Sequence, residues 1–287
     1  MNGLRGLIIA MTLLQPVGVS AEGNLSGTLL YRRLTDGTWQ IWQTELAVND
    51  RRQLTFSAGD KRLPAWTRDG RIAYHTSNLG YYVMRLREED RQPLLSTLWP
   101  IKDVAWSPDG AWLALTRLET GLVENADLWV ADAGGTHRRL MTPEPGVQHH
   151  GAWSPDGRRL VYIDDRGYGA HELYLINADG SGRQRLTNNA GREYFPAWSP
   201  DGTHIIFTAD LDGDYNVWLM NADGTDLKQL TTATGLDTRA AWSPDGRHLA
   251  FTTNRTGTLE IWVMQADGTQ QRPLEQAAGG VCDPAWR

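Results

Sequence analysis

The chain has 287 residues, and its 28 Lys and Arg against 34 Asp and Glu give a formal net charge of −6 at pH 7. An acidic chain is a poor electrostatic match for nucleic acid or for an anionic membrane surface, so we expect neither as its main partner. The single cysteine, Cys282, excludes an internal disulfide, and we expect it to be a buried small side chain.

The N-terminal residues 1–21 have the pattern of a secretory signal peptide. Arg5 precedes a short apolar run, and small residues stand at the cleavage-determining positions that end at Ala21. The run is too short to span a bilayer, and no later segment is apolar enough to do so. The sequence therefore predicts export and a mature chain of residues 22–287.

A six-residue motif recurs through the rest of the chain. Ala-Trp-Ser-Pro-Asp-Gly begins at Ala105, Ala152, Ala197 and Ala241, and Ala65 begins a variant of it. A truncated copy ends the chain. The motif tryptophans, spaced 40–47 residues apart, are Trp66, Trp106, Trp153, Trp198, Trp242 and Trp286. A period in this range is typical of repeat architectures.

Each repeat has the pattern of four short antiparallel strands. Ser-Pro-Asp-Gly suits a type I turn, and a run rich in β-branched and aromatic residues follows it, as in 204–208. A second strand such as 216–220 leads into an Asp-Gly hairpin turn, and a short fourth strand ends the unit. One such unit is a propeller blade.

The two ends of the chain complement each other. The last copy supplies only a first strand, and the segment 28–55 supplies strands two to four of a blade. We therefore predict an all-β, six-bladed propeller of four-stranded blades over residues 22–287, closed by a blade that both termini share. The repeated tryptophans are interpreted as packing between blades.

Residues two to four positions before each motif alanine lead into the innermost strand, beside the predicted channel. They mix both charges with histidine and aromatic rings, which favours a polar pocket or docking surface at the channel mouth. The alternative is a solvated channel whose charges neutralise one another. The candidate binding residues are Lys61, Arg62, Lys102, Asp103, His149, His150, Glu193, Tyr194, Asp237, Arg239 and Asp283.

The longest loop excursion, 117–127, is expected to form a raised lip on the variable-loop face. Arg117, Glu119, Glu124 and Asp127 are its candidate binding residues.

Metal binding is a weaker hypothesis. Asp210, Asp212 and Asp214 place oxygens at alternating positions, as calcium loops do, although an acidic hairpin loop explains them better. The adjacent His149 and His150 lack a spaced partner motif. We expect no cofactor, with a divalent cation as the alternative. The sequence also lacks a nucleophile elbow, a phosphate loop and a dinucleotide fingerprint.

The repeat, Ala-Trp-Ser-Pro-Asp-Gly followed by Ile/Val-Trp-Val/Leu-Met-x-Ala-Asp-Gly-Thr, resembles the TolB-type propeller repeat over residues 27–287. Similar repeats occur in prolyl-oligopeptidase-like peptidases and in oligogalacturonate lyases. The resemblance implies a periplasmic protein that docks the peptidoglycan-associated lipoprotein and helps the Tol–Pal system maintain the outer membrane. TolB carries an α/β domain ahead of its propeller; Glu22 leads almost directly into a predicted strand, so we expect no counterpart here.

Together these observations predict a non-enzymatic, monomeric periplasmic scaffold that binds an envelope protein through its variable-loop face and channel mouth. The alternative is a propeller enzyme or binding protein acting on acidic oligosaccharides, similar to the oligogalacturonate lyases, with metal dependence. Fold alone does not decide between the two.

Overall fold

The computed structural model describes residues 25–76, 80–85, 87–94, 101–118, 126–165 and 171–287. The predicted signal peptide lies outside these residues. Within them the regular structure is 24 β-strands and one three-residue 3-10 turn, Glu88–Asp90, so the all-β propeller expectation is confirmed. In the same residues, no helix is long and apolar enough to cross a membrane.

The Ser-Pro-Asp-Gly turns form as the sequence predicts. In one of them the amide of Gly202 donates to the carbonyl of Ser199 at 2.9 Å, and the hydroxyl of Ser199 donates to the carboxylate of Asp201. Gly202 has a φ of 72°, a conformation that favours glycine. The turn therefore fixes the connection between an inner strand and the next strand of the same sheet.

Four sheets have four strands each, in an antiparallel meander. The first contains β1 (Thr28–Thr35), β2 (Thr38–Glu45), β3 (Asp50–Gln53) and the C-terminal β24 (Val281–Trp286). The second contains β4 (Lys61–Trp66), β5 (Ile72–Thr76), β6 (Gly80–Met84) and β7 (Gln92–Pro93). Two more contain β16 (Glu193–Trp198), β17 (His204–Ala209), β18 (Asn216–Asn221) and β19 (Lys228–Gln229), and β20 (Asp237–Trp242), β21 (His248–Thr253), β22 (Glu260–Gln265) and β23 (Arg272–Glu275).

The remaining strands form one continuous eight-stranded sheet, which corrects the predicted blade count. The prediction of six separate four-stranded blades is wrong: the structure has four four-stranded blades, and this larger sheet replaces the others. Its strands are β8 (Ile101–Trp106), β9 (Trp112–Leu118), β10 (Ala126–Asp132), β11 (Arg138–Leu140), β12 (Val147–Trp153), β13 (Arg159–Asp165), β14 (His171–Asn177) and β15 (Gln184–Arg185).

The eight-stranded sheet is continuous because β10 and β12 pair in parallel, at Ala126 and Val147. Gly151 of β12 permits this approach: a β-carbon at that position would lie 2.7 Å from Cδ1 of Leu128 in β10. At the same place in the repeat, Pro64 and Pro196 stand in the separate blades. The missing side chain of one glycine therefore lets neighbouring units come together.

The two termini meet as predicted. Strand β24 pairs antiparallel with β1, and Thr28 and Arg287 exchange backbone hydrogen bonds at 2.6 and 3.0 Å. The indole of Trp286 also donates to the carbonyl of Ser26 at 2.9 Å. This pairing covers the edge of β1, which would otherwise be open to another chain.

The hydrophobic core lies between neighbouring sheets. One cluster packs Leu173 and Leu175 of β14 against Trp198 of β16 and Phe207 of β17. Trp198 is 7% exposed, and its indole donates to the carbonyl of Ala152 on the adjacent inner strand at 3.2 Å. This placement agrees with the interpretation of the motif tryptophans as packing residues.

Candidate binding site in the axial channel

A repeated β-bulge shapes the inner strands where they line the channel. Leu63, His150, Phe195, Arg239 and Asp283 all have φ between 52° and 58°, and the pairing register shifts beside each of them. A bulge residue in this conformation bends the strand and changes the direction of its side chain. Asp103 holds the same repeat position without a positive φ, next to a register shift of its own.

Threonine hydroxyls from neighbouring repeat units hold three of these bulges in place. Thr116 Oγ1 accepts the amide of His150 at 3.2 Å, and Thr208 Oγ1 accepts the amide of Arg239 at 3.2 Å. Thr252 Oγ1 accepts the amide of Asp283 at 3.0 Å. Because each bond satisfies a backbone donor left unpaired by a bulge, it fixes the position of the channel side chain.

Arg239 lies at the centre of a charged cluster in the channel. Its Nε is 3.2 Å from Oδ1 of Asp283, whose Oδ2 is 2.6 Å from Nε of Arg32. The guanidinium carbon of Arg239 also lies 3.9 Å from the ring centroid of Phe195. Since 29% of the Arg239 side chain is exposed, its guanidinium stays accessible from the channel.

His150 and Asp103 form a second cluster next to it. The ring of His150 meets that of Phe195 edge to face at 4.6 Å, and its Nε2 is 3.9 Å from Oδ2 of Asp103. Thr116 donates to Oδ1 of Asp103 at 2.7 Å. Burial lowers the pKa of His150 well below its usual range and raises that of Asp103. The histidine is therefore neutral at pH 7.

Both clusters face one open cavity of about 590 Å³. Asp103, His150, Phe195 and Arg239 line it, together with the alanines and tryptophans of the motif. Turn residues such as Pro200 and Pro244 line it as well, so the cavity lies on the Ser-Pro-Asp-Gly side of the channel. Its volume is in the range of small ligand pockets, about 300–1,000 Å³.

An aromatic and histidine cluster lies beside these groups. The Nδ1 atoms of His149 and His150 are 2.5 Å apart, and the ring of His171 lies 5.6 Å from that of His149. Tyr194 contacts His171 at 4.8 Å between ring centroids, and His171 Nε2 is 3.0 Å from Oδ2 of Asp165. Burial, and then the charge of Lys102, lower the pKa of His149 to about 2.

Three candidate residues are buried among other groups. Lys61 is fully buried, and its Nζ donates to the carbonyls of Ser57 and Gly59 at 2.8 and 2.7 Å. Asp237 pairs with Arg255 at 2.8 Å. Glu193, also fully buried, accepts hydrogen bonds from Leu173, Thr187 and Asn189. Their contacts tie inner strands to adjacent loops and strands.

The candidates outside the channel are placed as follows. Arg62 is 55% exposed and lies 3.9 Å from Asp60. Arg117 and Asp127 are opposite each other in the β9–β10 pair, so they belong to strands rather than to a loop. Glu119 and Glu124 of the predicted lip lie outside the described residues.

Two of the three aspartates of the proposed calcium loop are held by protein groups. Asp212 accepts hydrogen bonds from the side-chain amides of Asn216 and Gln229, and Asp210 accepts the backbone amide of Arg192. In the part of the chain that the structure describes, no three His, Cys, Asp or Glu side chains are grouped to hold one metal ion. The cation hypothesis gains no support from this geometry.

Arg32, Asp165 and His171 take part in these clusters but were missed by the sequence analysis. Arg32 occupies the repeat position held elsewhere by Thr116, Thr208 and Thr252. An arginine at a position where three other repeats have threonine could have marked Arg32 as a candidate binding residue. His171 follows a variable loop, where the repeat gives no register.

Comparison with known proteins identifies the repeat. Residues 182–287 match the family model described as the TolB beta propeller domain. The repeats within these residues are of the TolB type. A curated relative, the Tol-Pal system protein TolB of Anaeromyxobacter dehalogenans strain 2CP-C, is 31% identical over 121 residues. That match covers 41% of this chain and only 27% of the TolB relative.

Solved structures share the fold. TolB from Acinetobacter baumannii aligns with a TM-score of 0.77 at 22% identity, covering 92% of this chain and 67% of that one. An oligogalacturonate lyase in complex with manganese aligns with a TM-score of 0.62 at 15% identity, covering 88% of this chain and 74% of the lyase. At these identities the likeness to TolB and to the lyase concerns the fold alone.

Proposed function

We propose that this chain is a TolB-like periplasmic scaffold that binds an envelope protein in its axial channel and catalyses no reaction. The observation that carries the proposal is the convergence of Asp103, His150, Phe195 and Arg239 on one open cavity, with Asp283 paired to Arg239. These residues come from separate units of the repeat. Their side chains are held in place by hydroxyls, ion pairs and ring contacts before any partner arrives.

The arrangement suits a protein partner. Preorganised side chains lose little conformational entropy on binding, and an accessible arginine beside an aromatic ring is a frequent centre of interface energy. Arg239 over Phe195 has these properties. The inner wall of alanine and proline offers apolar surface around the charged groups. An inserted segment with a carboxylate would pair with Arg239.

The TolB-type repeat supports a particular partner. A curated relative is named a Tol-Pal system protein, so the peptidoglycan-associated lipoprotein is the first candidate. Lys102, His149 and Tyr194 lie beside the same groups, since the charge of Lys102 reaches His149 and the rings of His149 and Tyr194 are 6.4 Å apart, and we include them in the proposed site. The likeness to oligogalacturonate lyases concerns the fold alone and adds no proposal of catalysis.

Affinity capture from an envelope extract tests this function. The purified chain is immobilised beside its Arg239→Glu variant and an Arg52→Glu control, since Arg52 is an exposed residue of the outer strand β3. We expect the parent and the control to retain the lipoprotein and the Arg239→Glu variant to lose it. Equal retention by all three would reject the channel as the binding site.

A further inference from the structure

A second cavity, of about 560 Å³, lies within the eight-stranded sheet. It shares no lining residue with the channel cavity. Trp112 at the start of β9, Val130 of β10 and Trp153 of β12 line it, together with Asp109, Arg139 and Asp179. We call it the hairpin cavity, because the hairpin after β14 forms one of its sides.

The hairpin cavity exists because one hairpin stands away from its neighbour. At the same repeat position, a β-carbon on Gly224 would lie 2.7 Å from the carbonyl oxygen of Leu186, and one on Gly268 would lie 3.0 Å from that of Leu230. A β-carbon on Gly180 would have no atom within 4 Å. The hairpin at Gly180 therefore leaves a space that the equivalent hairpins at Gly224 and Gly268 close.

The side chain that covers a motif tryptophan also differs at this junction. Arg159 lies over the ring of Trp198 at 5.0 Å, and His248 lies 6.5 Å from the ring of Trp286. Trp112 holds the same position after its turn, and 42% of it is exposed at the cavity. An exposed indole is an energetic cost unless something stacks on it.

The polar groups of the hairpin cavity are charged acceptors and donors. Hydrogen bonds within their turns lower the pKa of Asp109 and of Asp179, and the largest contributions come from the hydroxyls of Ser107 and Ser181. In the described residues those turn bonds all fall on Oδ1, so Oδ2 of each carboxylate can accept another donor. Arg139 donates to the carbonyl of Ala178 at the cavity rim.

From this geometry we propose that the hairpin cavity binds an N-acetylated hexose unit of an oligosaccharide. The C–H face of a pyranose ring stacks on Trp112, and its hydroxyls donate to Asp109 and Asp179 while accepting from Arg139. Val130 and Trp153, 2% and 9% exposed, form an apolar inner wall for the acetyl methyl group. The site is independent of the channel and of its proposed partner.

Calorimetric titration of the purified chain with triacetylchitotriose tests the proposal, with maltotriose as the sugar without acetyl groups. We expect saturable binding of triacetylchitotriose that Trp112→Ala weakens at least about tenfold and Trp112→Phe largely restores. Asp179→Asn should weaken it too, because a charged acceptor is lost. Phe56→Ala removes an exposed ring outside the cavity, 69% exposed, and should change nothing.

Three outcomes would overturn the proposal. The first is an absence of saturable triacetylchitotriose binding by the parent chain. The second is a Trp112→Ala variant that folds, by circular dichroism, and binds as tightly as the parent. The third is maltotriose binding as tight as that of triacetylchitotriose, which would remove the role of the acetyl group.

Discussion

Glu193, Asp237 and Lys61 show how position within a strand decides the role of an ionisable side chain. All three stand four residues before a motif alanine, and all three are buried. Sequence alone grouped them with Asp103 and Arg239 because all of them stand two to four positions before a motif alanine, on the innermost strand. Alternation alone would put positions two apart on one face of a strand, but the bulge breaks it: Asp103 and Arg239 line the cavity and the three buried residues do not.

Glu193 gives a pH-dependent prediction. Burial, and to a smaller extent the charge of Glu172, raises its pKa to about 7 from the ordinary value of 4.5. The folded state therefore keeps a proton that the unfolded state loses, and the free energy of unfolding falls as pH rises from 4.5 to 7. Glu193→Gln stays neutral, so we expect it to lose up to roughly 3 kcal/mol of this pH dependence.

Urea unfolding of both proteins at pH 5 and pH 8 measures the effect. The difference in the free energy of unfolding between the two pH values should be smaller for Glu193→Gln than for the parent. The same pH dependence in both proteins would show that the pKa of Glu193 is not raised in the folded state.

At the scale of elements, the bulges of the inner strands are the feature that builds the channel site. The sequence predicts the strands and turns around them from Ser-Pro-Asp-Gly and from the alternation that follows. It does not predict the bulges, because Leu63, Phe195 and Arg239 are not residue types that favour a positive φ as glycine does. Threonine hydroxyls of neighbouring repeat units hold the bulges at His150 and Asp283 instead.

Replacing Leu63 with isoleucine, which has the same atoms in a β-branched arrangement, tests the backbone conformation of the bulge. The φ of 52° at Leu63 is costly for a β-branched side chain. We expect Leu63→Ile to lower the free energy of unfolding by about 1 kcal/mol. Leu219→Ile, at a half-buried position in the regular strand β18, is the matched control and should change stability by less.

The midpoints of chemical denaturation measure the change in stability that each of the two substitutions causes. A Leu63→Ile protein as stable as the Leu219→Ile protein would argue that the inner strand lacks the positive-φ bulge.

The joined sheet is a second element that sequence reasoning missed. The repeat predicts equal units, and Gly151, in place of the proline found at three other repeats, marks the unit that differs. Its effect depends on Leu128 of another strand, a contact that no local pattern reveals. Repeat periodicity predicts the number of strands well, and contacts between units decide how those strands are divided into sheets.

At the scale of the whole molecule, the pairing of β24 with β1 joins the ends of the chain. Leu29, Leu30 and Tyr31 of β1 are fully buried, and β24 supplies the neighbouring strand. The truncated last motif predicted this pairing from sequence. The channel depends on it, because Asp283 of β24 pairs with Arg239 of β20.

Deletion of residues 281–287 should therefore disrupt the fold as a whole. We expect the shortened chain to self-associate and to lose cooperative thermal unfolding, because the edge of β1 is left unpaired. Light scattering and a thermal scan measure this. Arg287→Ala keeps β24 and serves as the control; a shortened chain that stays monodisperse and melts near the control would contradict the importance of the closure.

The central claim is that the channel binds an envelope protein, and a calorimetric titration with the purified soluble domain of a peptidoglycan-associated lipoprotein tests it most directly. The account predicts saturable binding by the parent and by Arg52→Glu, and binding at least about tenfold weaker for Arg239→Glu, whose charge is reversed beside Asp283. Equal affinity of the parent and a folded Arg239→Glu variant, or no binding by the parent, would contradict it.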